Sequence, residues 1–502
     1  MTKKGELRAA GGVLLLLLLG KCLSLAANQA YLSFYGADNE RLNIFSWAMQ
    51  IPGYLFQSAG TALVSVVIPV YASLRATNRR AEAERFVSNL LGVCLLFSGL
   101  LCVLGLGLSF VLPRLTGFSD RAYAALCLRL VMPAALCYGL IYILQGVLQS
   151  EGHFGAAAAV NLPGGILILA YLALCGRRFG VTGLLVTVVA GLALQVVMLA
   201  VPARRAGFRW RPSGMLRDEH LRAALRRCLP VFLGALAYQL DLFGNHTLLT
   251  GIAPESVSLY QFVQSIVVGL VTVLTAAVNA VAYPELSALA ARGERENYRA
   301  AFCEKLETVI FFLLPLTVGL AVLGRPALRL LAAHGRLTEE NIAVEYGFLL
   351  ASGACMVFLG IKEIADRALF ALHTTKVSAL VNGLILLLNV PLAWLLRRVP
   401  ALGAYAIPLS WSAAVAAGAV VLLLCLRRRL GGFAGLLSAA GKTLIASAVM
   451  GGTVWGCRRL LAGRLGSLMA LGLPVLLGVL VFFLMAALLR IPVLPRLRRT
   501  EK

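Results

Sequence analysis

Apolar runs long enough to cross a hydrocarbon core follow one another from end to end of this chain. Roughly fourteen can be read, near residues 10–35, 44–73, 86–112, 122–149, 156–175, 181–202, 228–250, 257–288, 302–323, 343–371, 376–396, 403–426, 436–456 and 466–489. They are too continuously apolar for the two-residue alternation of a membrane β-barrel. The pattern therefore predicts an all-α polytopic membrane protein of about 14 transmembrane helices. The first run follows Lys3 and Lys4, and its Leu14–Leu19 core looks like a secretory leader. Lys21, Asn28 and Gln29 come next without a small-x-small cleavage site, so the expectation is an uncleaved first helix.

The pattern also repeats itself about 215 to 220 residues on. Ile68-Pro69-Val70-Tyr71-Ala72-Ser73-Leu74 closes one run before a basic loop, and Tyr283-Pro284-Glu285-Leu286-Ser287-Ala288-Leu289 closes another. Leu148 leads by thirteen residues to Asn161, and Leu369 leads by thirteen to Asn382. Such a repeat predicts two homologous six-helix lobes, and six being even, a parallel relation between them. The expected division is an N-lobe at 1–202, a basic linker at 203–227, a C-lobe at 228–429, and two further helices with a tail at 430–502.

Charge sharpens the topology. The net charge of +24 could suggest nucleic acid, but the lysines and arginines crowd alternate loops: Arg75 to Arg85, Arg204 to Arg227, Arg292 to Arg299, Arg427 to Arg429, and Arg490 to Lys502. The opposite loops hold roughly half as many, which is the positive-inside bias. With an even number of spans both termini are expected in the cytoplasm, with anionic lipid headgroups as partners and no nucleic acid. Within the linker, Leu216, Leu221 and Leu225 have near-helical spacing, fitting either an interfacial amphipathic helix or an ordinary basic connector. The eleven cysteines are scattered singly and read as small buried hydrophobes rather than metal ligands.

Ionisable groups inside apolar runs are costly unless paired or lining a cavity, so they are the first functional candidates. Lys21 lies in the first run, Arg129 in the fourth, Asp241 in the seventh amid Gln239, Asn245 and His246, and Lys362, Glu363, Asp366 and Arg367 in the tenth. Arg129 is close enough to its helix start to snorkel, and the tenth-run quartet can neutralise itself as two i,i+4 pairs. Asn161 and Asn382 suit interhelical hydrogen bonds as well as they suit a cavity. Lys21 and Asp241 have no oppositely charged residue three or four positions away in the sequence. Gln57, Gln264 and other amides add a weakly polar interior fitted to a large hydrophilic group. Gly435 to Thr443 imitates a phosphate-binding loop but has five residues between its glycines, where that motif needs four. Neither a nucleotide-binding domain nor a catalytic constellation is apparent, and no cofactor is expected.

Phe34-Tyr35-Gly36-Ala37, Gln50-Ile51-Pro52, Ala59-Gly60-Thr61-Ala62, Val67-Ile68-Pro69 and Gly146 to Phe154 in the first half are joined by a second set. These are Tyr283 to Ser287, Gly335-Arg336-Leu337-Thr338, Arg367 to Ala371 and Leu402-Gly403-Ala404. In this order the chain resembles the MurJ/MviN-type lipid II flippases of the MOP exporter superfamily, as a divergent member. The resemblance implies V-shaped paired lobes alternating between inward- and outward-open states, a central cavity for a sugar–diphosphate headgroup, and a groove for the polyprenyl tail at the last two helices. Of the family's cavity arginines, the first is matched by Lys21, and the second falls near Ala27 or Asn28. The third falls at Phe56 or Gln57, and the eighth-helix one near Ser265.

The substrate-binding set so implied is Lys21, Asn28, Gln29, Gln57, Gln264 and Ser265. Asp241 and Asn389 match a family cation site, whose later carboxylate is Ala393 here. The expectation is a bacterial cytoplasmic-membrane flippase for lipid II, coupled to Na+ or the membrane potential, with cell-wall synthesis proteins as further candidate partners. Another polyprenyl-linked oligosaccharide (capsule, teichoic acid or O-unit type) remains open as cargo. A cation-coupled drug exporter and a non-transporting scaffold are the more distant alternatives.

Overall fold

The computed structural model describes residues 3–53, 71, 74, 79–151, 153–205, 210, 219–332, 336–372, 374–433, 435–461 and 467–494. All the described regular structure is helical. In chain order the helices are α1 (Lys3–Tyr35), α2 (40–53), α3 (Arg80–Leu108), α4 (Arg121–Val131), α5 (Ala134–Ser150), α6 (Phe154–Ala158), α7 (Leu162–Leu174), α8 (Gly176–Arg205) and α9 (Glu219–Thr250). There follow α10 (Val257–Ala291), α11 (Arg295–Ala332), α12 (Glu339–Gly353), α13 (Met356–Ala371), α14 (Thr375–Leu396), α15 (Ala406–Leu430), α16 (Leu436–Leu461) and α17 (Ser467–Leu488).

Among the described residues nine spans are long and apolar enough to cross a membrane, and ten if the bent pair α12–α13 is taken as one. The count of fourteen is thus not confirmed: the run at 44–73 lies largely outside the described residues, and polar side chains lower the hydropathy of others. Helix α9 carries buried Gln239, Asp241, Asn245 and His246, while α16 carries Lys442 among glycines. The run at 343–371 is two helices meeting at 41°. Outward faces are uniformly apolar: Leu476, Leu480, Leu484 and Leu488 form an exposed i,i+4 stripe on α17, as a lipid-facing helix requires.

The chain forms two compact units, Met1–Gln261 and Phe262–Lys502. Helix α9 belongs to the first, so the compact division falls at 261/262, later than the 203–227 linker. The two units use the same neighbour order. In the first, α3 packs on α5, α5 on α8 and α8 on α7; in the second, α11 packs on α13, α13 on α15 and α15 on α14.

The repeated motifs also end their helices alike. His153 N–H donates to Leu148 O at 2.8 Å after α5, and Thr374 N–H donates to Leu369 O at 2.9 Å after α13. Each bond, closing six residues, satisfies a carbonyl that the helix end would otherwise leave bare. The last two helices α16 and α17 pack on α11 through Phe311, Ala446, Met450, Val454, Phe482 and Ala486. The false phosphate loop opens α16, and its Thr443 hydroxyl is spent on Ala439 O at 2.8 Å.

Close approach rather than large side chains sets several crossings, as expected where lipid supplies no hydrophobic drive for association. A Cβ on Gly117 would lie 2.0 Å from the Thr250 carbonyl oxygen, at the end of α9. Backbone on backbone cannot yield by a rotamer change. Gly117→Ala should destabilise the protein by about 1–3 kcal/mol, read as a fall in the thermal unfolding midpoint in detergent; an unchanged midpoint would show that this crossing tolerates a shift.

Candidate functional site

Helix α1 has no proline and few β-branched residues. It ends where Gly36, at φ 84°, turns the chain and returns its N–H to Leu32 O at 2.9 Å. Its packing face meets α7, where Leu23 abuts Gly165, and the start of α8, where Phe34 abuts Gly176. The Tyr35 hydroxyl donates to Gly176 O and Gly180 O, both at 3.0 Å, the latter where α8 kinks at φ 60°. Seven residues apart, half-buried Lys21 and Asn28 share a stripe beside that face. Gln29 is 4 % exposed, and its Oε1 has no hydrogen-bond partner among the described residues. One helix therefore brings together an ammonium and two amides.

The other candidates lie elsewhere. Gln264 is buried and Ser265 half-buried on α10, in the second unit. Gln57 lies outside the described residues. Asp241 is fully buried on α9, one turn before buried Asn245, and the next residue, His246, stacks 5.0 Å from the Tyr260 ring. Asn389 is fully buried on α14 in the second unit, where its Oδ1 accepts from the Ser410 hydroxyl at 2.7 Å. Ala393, a turn later, supplies no ligand. No group of three His, Cys, Asp or Glu suited to a metal occurs among the described residues.

Two sequence candidates take structural roles. The Lys362 ammonium donates to Asp366 at 2.9 Å in a buried i,i+4 pair on α13. Arg129 is exposed, donates to Ser109 Oγ at 3.2 Å and lies 4.7 Å from the Phe110 ring centroid, a guanidinium held at the end of its span.

Sequence reasoning passed over Asn43, whose amide uses every valence. Its Nδ2 donates to Ala37 O at 2.6 Å and Asn39 O at 3.2 Å. Its Oδ1 accepts from Ser258 N–H and Ser258 Oγ–H, both at 2.8 Å. A side chain at the start of α2 thereby caps the first turn of α10, whose N–H groups have no partner within the helix. The two residues are 215 apart, the offset of the repeat, which is the signal that could have found them. Around them the Trp47 indole donates to Thr247 Oγ1 at 3.3 Å, and Gly117 N–H donates to Thr250 Oγ1 at 3.3 Å. Glu40 accepts from the Ser119 hydroxyl at 2.6 Å, and that bond chiefly holds its carboxyl below the usual range. This junction ties α2, the end of α9 and the start of α10 into one polar knot.

The sequence model of the family described as lipid II flippase MurJ matches residues 36–473. The chain belongs to the lipid II flippase MurJ family. A probable lipid II flippase MurJ of Bdellovibrio bacteriovorus is 24% identical over 484 residues, covering 93% of this chain and 92% of its own. A solved MurJ in an inward closed conformation aligns with a TM-score of 0.77 at 19% identity, over 94% of this chain and 97% of that one. An inward-facing MATE-family multidrug transporter of the MOP superfamily aligns at 0.68 and 17% identity, over 82% and 95%. The fold is therefore that of MurJ and its MOP relatives.

In this MurJ-family chain, Asn43→Ala should cost about 1–3 kcal/mol, because Ser258 loses its acceptor in a buried place. Faster hydrogen exchange confined to the first turn of α10 would be the readout, and unchanged exchange would dismiss the cap. The Glu40 contact has a pH sign. A depressed carboxyl stabilises above its unfolded value and loses that contribution as pH falls through its folded value. A spin label at Arg121 should sharpen in the wild type only once pH falls below the ordinary carboxylate range, and already at neutral pH in Glu40→Gln.

Proposed function

We propose that this chain is a flippase carrying the undecaprenyl-diphosphate-linked peptidoglycan precursor, lipid II, across the bacterial cytoplasmic membrane by alternating access. The observation that carries the reading is the family match over residues 36–473. It is supported by a MurJ-like fold and by one helix presenting Lys21, Asn28 and Gln29 together. A diphosphate cannot pass through hydrocarbon unescorted, since a charge there costs several kcal/mol. Lys21 supplies a compact positive charge on α1, and the Asn28 and Gln29 amides supply neutral donors and acceptors for phosphate or sugar. Gln264 and Ser265 on α10, with Gln57 outside the described residues, are the further polar side chains this proposal assigns to the substrate. No covalent step is needed, so the chain acts as a transporter rather than an enzyme.

Coupling in this reading comes from Na+ at Asp241 and Asn389, or from the membrane potential acting on the translocated charge. Both termini face the cytoplasm, where the basic tail meets anionic headgroups, and cell-wall synthesis proteins are partners. A second cargo, another polyprenyl-linked oligosaccharide, is favoured by one feature: amide, alanine or hydroxyl stands where the family resemblance expects bidentate arginines.

Complementation of a strain depleted of its lipid II flippase separates the two, since only a lipid II flippase restores growth. In vesicles, Lys21→Ala should slow flipping by about tenfold or more, the worth of one charge-assisted hydrogen bond, while Lys21→Arg keeps most of the rate. An undiminished Lys21→Ala rate would remove Lys21 from the mechanism.

A further inference from the structure

Helix α12 buries a carboxylate that the flippase reading does not use. Glu345 is fully buried, and neither of its oxygens has a hydrogen-bond partner among the described residues. It is not alone. The Asn341 Nδ2, one turn before it, and the Ser352 hydroxyl, two turns after it, are buried and unpartnered in the same way, as is the Trp411 indole N–H on α15. Asn341, Glu345 and Ser352 fall at i, i+4 and i+11, one stripe of α12.

That stripe points into the bundle, between α11 and α15. On one side of it the Tyr346 hydroxyl bonds Ala321 O, and Leu349 abuts Gly324 of α11. On the other, Gly347 abuts the Tyr405 ring, Phe348 stacks 5.5 Å from that ring, and the Ser412 hydroxyl of α15 donates to Ala351 O at 2.6 Å. Phe348 and Leu349, fully or almost fully buried, flank Glu345 along the helix.

The charged groups of these elements are directed elsewhere, although the Arg325 Nε is buried without a hydrogen-bond partner among the described residues. From α11, Arg325 approaches Glu339 at 3.9 Å and Arg329 Nε donates to it at 3.0 Å, at the mouth of α12. Helix α15 has no ionisable side chain before Cys425 and Arg427 to Arg429 at its far end. Among the described residues the remaining titratable neighbours are Tyr346, Tyr405 and Cys355, the last donating its thiol to Ser352 O at 3.2 Å. Beyond the bend, Lys362 is held by Asp366. Among the described residues no cation pairs with Glu345, so an ionised carboxylate here would be a buried charge left uncompensated, whereas a neutral carboxyl costs no more than any buried polar group. The unpartnered atoms on its own stripe include the Asn341 amide N–H, a donor that repels a metal cation and suits a carbonyl or a water.

We propose that Glu345 is a proton-binding site of the second unit, protonated while α12 is packed between α11 and α15, and distinct from the Asp241 site of the first. Its ligand is the proton itself, and its ionisation loosens α12 from α15.

Infrared difference spectra of the purified protein, wild type minus Glu345→Gln, test this directly. A protonated-carboxyl C=O band at neutral pH is expected, giving way to carboxylate bands as pH rises and unmoved by added Na+. The thermal midpoint of the wild type should fall as pH rises from the ordinary carboxyl range up to that interval and level off beyond it, and that of Glu345→Gln should not. A carboxylate signature at neutral pH would overturn the proposal, and so would loss of the C=O band on adding Na+ at fixed pH, which would make this a cation site. Where Glu345→Gln does not fold, the same subtraction with Glu345→Asp decides, since a protonated carboxyl band must shift between the two acids.

Discussion

Within hydrocarbon there is no water to take up an unsatisfied hydrogen bond, and the rest of this structure answers to that constraint. It forces the backbone into helices. It also explains how the hydroxyls inside those helices are spent: Ser98, Thr187, Thr275, Thr308, Thr317, Thr443 and Ser447 each donate to the carbonyl one turn back. These side chains are polar in composition and silent in chemistry. Once they are set aside, the buried polar groups left among the described residues gather at α1, along α9 and α10 and at their junction with α2, along α12 and α13, and at Asn382 and Asn389 of α14.

The same constraint shapes the packing. Lipid competes with every apolar contact, so helices associate where their surfaces come close and where a polar bond repays the approach. Glycines at 117, 347 and 451 allow a backbone, ring or methyl contact that an added Cβ would block, lying only 2.0 to 2.6 Å from its neighbour. What differs between the units is the addition to the second, where α16 and α17 cover the phenylalanine-rich side of α11.

Much of this was legible in the sequence, and what was not has a physical cause. The motifs around Leu148 and Leu369 announced a repeat, and the two helices do end with the same backbone bond. The i,i+4 spacing of Lys362 and Asp366 announced their pair, and the position of Arg129 near a span end announced its escape to the boundary. The number of spans was less legible, because an apolar run cannot show a 41° bend between α12 and α13. Asn43 was invisible to any local reading: its worth depends on Ser258, and nothing near it in the chain marks an amide that caps a distant helix. Glu345 was missed because a glutamate two residues into an apolar run reads as a helix start, yet the helix begins at Glu339 and places it a turn and a half inside.

On the flippase reading, the composition of the α1 stripe has a consequence for specificity. An arginine fork recognises a phosphate by shape as well as charge, two parallel bonds fixing its plane, whereas a lysine offers a strongly hydrated point charge on a flexible stem. A site with one lysine and several amides therefore holds a diphosphate less rigidly and leaves more of the recognition to neutral hydrogen bonds with the glycan. Such bonds discriminate by the penalty of leaving a buried amide unpaired, about 1–3 kcal/mol each, rather than by attraction to charge. The glycan, more than the diphosphate common to all polyprenyl-linked cargoes, then decides what this chain accepts.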